Sequence, residues 1–149
     1  MPFDIHVDAQ GLAKTECGSY SGLLYFRTSV GGIPHSRWSD FAITVLARWA
    51  TELCAYLNED TNAATLEFMS GPFSMVCNRV DDETILASYY QEGESGRLMH
   101  EEEVTTRDVV DSVIYASDLV LQHCKLRNIN IPEVGELGVS LRNLRKRAG

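Results

Sequence analysis

The most concentrated run of potentially reactive side chains is Arg97-Leu98-Met99-His100-Glu101-Glu102-Glu103-Val104. In a strand, successive side chains alternate, so His100 and Glu102 project to one face and Glu101 and Glu103 to the other. A histidine beside a carboxylate could begin a metal site. Such a site needs three or four converging ligands, and two from one strand do not make one. The run is not H-E-x-x-H either. Two readings remain: an acidic docking edge, or charge that keeps an edge strand from pairing with another chain. A second acidic group, Asp81-Asp82-Glu83, reads as a solvated turn that would share in a docking surface if it lay near the loop at 92–96, although the two turns are expected at opposite ends of the strand between them.

Other constellations supply less chemistry. Gly18-Ser19-Tyr20-Ser21-Gly22 has glycines at the spacing of an esterase elbow, but the central residue is tyrosine. There is no G-x-G-x-x-G and no P-loop. His6, His35, His100 and His123 are scattered, and no catalytic, cofactor or metal residues are assigned. The four cysteines, Cys17, Cys54, Cys77 and Cys124, form no C-x-x-C pair. Cys54, Cys77 and Cys124 fall in apolar stretches and read as small buried hydrophobes in a reducing compartment.

Charge narrows the partner. The net charge is −8, and all 21 acids precede residue 142, where they face 9 basic residues, so that body carries −12. Between Asp81 and Asp118, 11 acids face only Arg97 and Arg107. Such a field repels nucleic acid and anionic lipid and attracts a cationic protein. The basic tail, Arg142, Arg145, Lys146 and Arg147, complements the negative end of a helix. The first residues lack a basic start and apolar run, and no stretch reaches the ~18 apolar residues of a membrane span. The expected location is the cytoplasm.

The elements that must position these residues follow from periodicity. Phe3, Ile5 and Val7 alternate with polar residues as a strand, and residues 21–30 form a second one. Phe41, Val45, Leu46, Trp49, Leu53, Tyr56 and Leu57 share one face of a central helix, with Thr44, Arg48, Thr51 and Glu52 opposite. Ser39 is the expected N-cap, with Trp38 and Ile43 closing a hydrophobic staple and Asp40 meeting the helix dipole. Strands follow at 65–69, 73–80, 84–91 and 97–104, with residues 92–96 as a hairpin loop. Thr105 and Asp108 open a second helix running to about Arg127, and Pro132 starts a third with Val134, Leu137, Leu141 and Leu144 inward. The order ββαββββαα in 149 residues predicts a single α+β domain, a mainly antiparallel sheet of five to six strands with helices on one face.

Pro34, Trp38, Asp40-Phe41, Val45-Leu46 and Trp49 together make a P-x-x-x-W-x-D-F segment opening a V-L-x-x-W helix. Phe68, Met69, Gly71, Pro72 and Phe73 supply an F-M-x-G-P-F turn. This combination, over roughly residues 20 to 125, resembles small bacterial α+β proteins, many of them similar to immunity proteins of polymorphic toxin systems. The resemblance implies a fold and a non-enzymatic role in neutralising a cationic toxin, such as a nuclease. It carries over no binding residues. The steering charges assigned here are Asp81, Asp82, Glu83, Glu101, Glu102 and Glu103. Two alternatives stay open. One is a small-molecule binder or enzyme with a pocket between sheet and helices. The other is a homodimer or larger homo-oligomer built through an uncovered sheet face.

Overall fold

A computed structural model describes residues 3–92 and 96–149. Gly93, Glu94 and Ser95 of the expected hairpin loop lie outside the described residues. The first sheet is built around β3 (Tyr20–Thr28), which pairs antiparallel with β1 (Asp4–Val7). Three short strands also pair with β3: β2 (Ala13–Lys14), β4 (Gly31–Ile33) and β5 (Ser39–Asp40). After α1 (Ala42–Leu57), four strands form a second antiparallel sheet in sequence order: β6 (Ala63–Glu67), β7 (Phe73–Arg79), β8 (Thr84–Gln91) and β9 (Arg97–Thr105). The chain closes with α2 (Thr106–Leu126) and α3 (Pro132–Ala148). The α+β class is as expected and the order matches roughly. The short strands β2, β4 and β5 are additional, and among the described residues nine strands in two antiparallel sheets replace the expected single sheet of five to six.

Alternation and helical spacing meet at one aromatic centre. Phe26 of β3 is fully buried, 4.9 Å from Trp49 of α1, 5.1 Å from Phe68 and 5.8 Å from Tyr89 of β8, ring centre to ring centre. Offset and edge-on aromatic pairs of this kind add to the gain from burial alone. Met75, Cys77, Ile85, Ala87 and Tyr89 turn the inner face of the second sheet toward the same core. Leu137 and Leu144 of α3 join it from the other side of α1. There Thr51 Oγ1 and Ser140 Oγ sit 3.3 Å apart. α1 also seals one border of the second sheet. Trp49 Nε1 donates to the Glu67 carbonyl at 2.8 Å, and the Thr65 amide donates to Glu52 at 3.1 Å. Side chains thereby occupy backbone groups that a terminal strand otherwise leaves unpaired.

The start of α1 differs from the expected cap. Ser39 lies in β5, and Phe41 holds the N-cap position with no side-chain hydrogen bond. The carboxylate of Asp40, 0% exposed, has another task. It accepts from Trp38 Nε1 at 3.1 Å, Phe41 N at 2.7 Å, Met69 N at 3.1 Å and Ser70 N at 3.0 Å. Trp38, rather than stapling to Ile43, packs edge-on against Phe68 and Phe73. Gly71 lies beneath it, where a Cβ would come 2.6 Å from Trp38 Cη2. A buried carboxylate is tolerable only when its acceptor capacity is filled. Here it ties the entry of α1 to the β6–β7 turn.

The other helix signals are observed as read. Thr105 caps α2, its hydroxyl accepting from Asp108 N at 3.0 Å, and Pro132 stands in the first turn of α3. Cys77 and Cys124 are buried, Cys54 only half-buried and Cys17 exposed. Burial pushes the Cys77 thiol up to about 12. Among the described residues no helix is long and apolar enough to cross a membrane.

Candidate functional site: the acidic border of the second sheet

β9 is the terminal strand of the second sheet, opposite the border sealed by α1. Its register with β8 fixes where the charges point. Glu103 stands beside Leu86 and Glu101 beside Ser88, both on the face turned away from the core. Ser88 Oγ donates to Glu101 at 2.9 Å and orients that carboxylate along the outer surface. Glu103 is exposed.

The acidic turn adjoins the same strand. Thr84 pairs with Thr105, and the Thr106 amide donates to the Glu83 carbonyl at 2.9 Å. Asp81, Asp82 and Glu83 therefore sit at the C-terminal end of β9, two positions beyond Glu103. Asp81 Oδ1 accepts from Glu83 N at 2.8 Å. That bond, with smaller help from Thr84, holds its carboxyl below the usual aspartate range. The fully exposed side chain stays ionised through the neutral range. Asp108 and Asp111, in the first turns of α2, extend the band and were not among the sequence candidates. Their signal lay in the capped helix start, where acidic residues complement the dipole.

An open groove of about 870 Å³ runs between this turn, the start of α2 and the last residues of α3. Asp82, Glu83, Asp108 and Asp111 line it, together with Arg107 and Arg147. Arg107 pairs with Asp111 at 3.5 Å, and both are largely exposed. Such a pair contributes about 0–1 kcal/mol and leaves the groove acidic overall.

Glu102 is placed differently from its neighbours. It shares the inner side of β9 with His100, as the alternation requires, and its side chain is 16% exposed. Glu102 Oε1 lies 3.4 Å from His100 Nε2 and accepts from the Ser29 amide at 3.3 Å. The Ser29 hydroxyl also approaches His100 Nε2, at 3.4 Å. His100 stacks on Tyr89, 5.9 Å between ring centres and 12° from parallel. Serine, histidine and carboxylate thus resemble a hydrolytic triad in composition. Both partners meet the same ring nitrogen, however, so the imidazole cannot relay a proton from one to the other. The cluster fastens the β3–β4 turn to β9. Beside it the Tyr89 hydroxyl is buried without a partner. Burial chiefly, and the Glu102 charge secondarily, push its phenol up, so it stays neutral.

Of the six sequence candidates, five carboxylates line the outer border and the end of β9, while Glu102 turns inward to the Ser29 latch. Among the described residues no group of three or more His, Cys, Asp or Glu side chains is placed to hold a metal ion. The chemistry this arrangement offers is electrostatic: a row of oriented, solvated carboxylates on a terminal strand. No family model, curated protein or solved structure matches this chain.

Proposed function

We propose that this chain is a non-catalytic binding domain that neutralises a cationic protein partner in the bacterial cytoplasm, in the manner of the toxin-immunity proteins its motifs resemble. The observation that carries the reading is the continuity of Glu101, Glu103, Asp81, Asp82 and Glu83 along one border of the second sheet, extended by Asp108 and Asp111. A row of like charge focuses the field outward, raising the encounter rate with a basic surface and rejecting anionic ones. The partner then occludes its own functional surface by docking.

The test is co-expression with the product of the adjacent upstream gene. Rescue from a toxic neighbour, with a complex that survives moderate salt, supports the reading. A harmless neighbour that forms no complex counts against it. With a partner in hand, Glu101→Lys/Glu103→Lys is expected to lower the association rate by about tenfold or more and to flatten its salt dependence. An unchanged rate and slope would remove these residues from the steering role.

A second reading has its own observation. An open cleft of about 610 Å³ lies between α1, β6 and α3, lined by Arg48, Thr51, Glu52, Glu136 and Ser140 among others. Its size suits a small polar ligand. Thermal-shift screening of cationic and zwitterionic metabolites, with Glu136→Ala as control, discriminates the two.

A further inference from the structure

The second sheet has a face that its own chain does not incorporate into the core. Strand alternation and register set three rows across it: Glu67–Ser74–Tyr90–Leu98, Thr65–Val76–Ser88–Glu101 and Ala63–Asn78–Leu86–Glu103. Val76 is only 2% exposed yet stands outside the contiguous hydrophobic core, as do Leu86, Tyr90 and Leu98. Leu98 is 47% exposed. Glu101 and Glu103 flank this apolar strip along β9, and Glu67 stands at the β6 corner. None of the residues in these rows is Lys or Arg. The Ser74 hydroxyl, between Glu67 and Tyr90, is buried with no hydrogen-bond partner, a state native proteins rarely leave unanswered.

The physics of a sheet face selects the occupant. The ladder already uses the backbone groups of its inner strands, so recognition there runs through side chains. An extended segment laid across the face would leave its own amides and carbonyls unpaired, whereas a helix satisfies them internally. β8 has eight residues, about 26 Å of strand, which accommodates a helix of about 15 residues. A second copy of this chain would set Glu67, Glu101 and Glu103 against one another, and like charges oppose that pairing.

We propose that this outward face docks a basic amphipathic helix of the cationic partner, its apolar side on Leu86, Tyr90 and Leu98 and its Lys/Arg flank against Glu101 and Glu103. The inference rests on the cationic-partner reading and adds the form of the partner's contact element.

The experiment is an NMR titration of the 15N-labelled full chain with two synthetic peptides. One is a 15-residue Leu/Lys amphipathic helix, and the other has the same composition with leucines distributed around the helix. The amphipathic peptide is expected to bind at least tenfold tighter and to shift amides of β7, β8 and β9. Leu86→Ser/Tyr90→Ser should abolish that preference, and Glu101→Lys/Glu103→Lys should weaken both peptides. Retained spectral dispersion checks that the serine variant folds; Leu98→Ser, at an exposed position, replaces it if it does not. Equal binding of the two peptides, with shifts confined to Asp81–Glu83 and the start of α2, overturns the docking face and leaves the acidic border as the contact. Binding of neither peptide also overturns the inference, while toxin rescue in co-expression would still uphold the cationic-partner reading.

Discussion

Asp40 and Glu103 carry the same functional group at opposite extremes of environment. Asp40 is sealed from water and accepts from four N–H groups: Trp38 just ahead of β5, Phe41 at the α1 entry, and Met69 and Ser70 in the β6–β7 turn. Glu103 stands on the outer side of a terminal strand, exposed, beside a leucine. The first carboxylate is spent on the fold, since its solvation has been replaced entirely by protein donors. The second keeps its water, and its charge remains free for another molecule. A carboxylate's role in this protein is therefore read from where its lone pairs are satisfied.

Substitutions that exchange or remove these environments test the contrast. Asp40→Ala leaves four donors without their acceptor, and the expected loss is about 3–5 kcal/mol, measured as a fall in the urea midpoint. Asp40→Asn keeps one acceptor oxygen but points a donor at other donors, for about 2 kcal/mol. A loss below about 1 kcal/mol for the alanine variant would mean that water replaces the carboxylate. Gly71→Ala drives a methyl into the Trp38 ring and is expected to cost about 1–3 kcal/mol, with the tryptophan fluorescence shifted. Thr105→Ala removes the α2 cap for about 1 kcal/mol. Glu101→Lys/Glu103→Lys should stay within about 0.5 kcal/mol of the parent in stability while changing association strongly. Comparable destabilisation at Asp40 and at the border would erase the distinction.

Much of the architecture was legible from spacing. The central helix pattern selected Val45, Leu46, Trp49, Leu53 and Tyr56, all buried in α1, though Phe41 became the N-cap, Leu57 is half-buried and buried Ile43 was not on the expected face. The Thr105 cap marked the start of α2. Ser39 misled because a good capping residue is only a local preference, and here pairing with β3 takes Ser39 and Asp40 into β5. Two-residue strands such as β2 and β5 escape a reading based on alternation, because their pairing is set by β3 and not by their own pattern.

For the candidate site, alternation separated Glu101 and Glu103 from Glu102 before any coordinates. Strand order also placed the Asp81–Glu83 turn at the end of the shared strand away from residues 92–96, but the meeting of that turn with the end of β9 depends on the β8–β9 register and on the Thr106–Glu83 hydrogen bond. That register is irregular: a shift between Tyr89 and Tyr90 brings Leu98 beside Tyr90 and leaves Met99 without an opposite residue. A bulge of this kind has no signature in the side-chain pattern. The Glu102 latch was equally hidden, because Ser29 lies 73 residues away in sequence.

The sequence by itself determined the α+β class, the order of the longer elements, the acidic charge and the parity of the longer strands, because these depend on residue type and on periods of two and 3.6. Tertiary structure alone decided that the acids of two separate segments form one border, that Asp40 belongs to the interior, and that one sheet face stays outside the core. Those outcomes depend on register, turn contacts and the helix covering each surface, which are properties of neighbours distant in the chain.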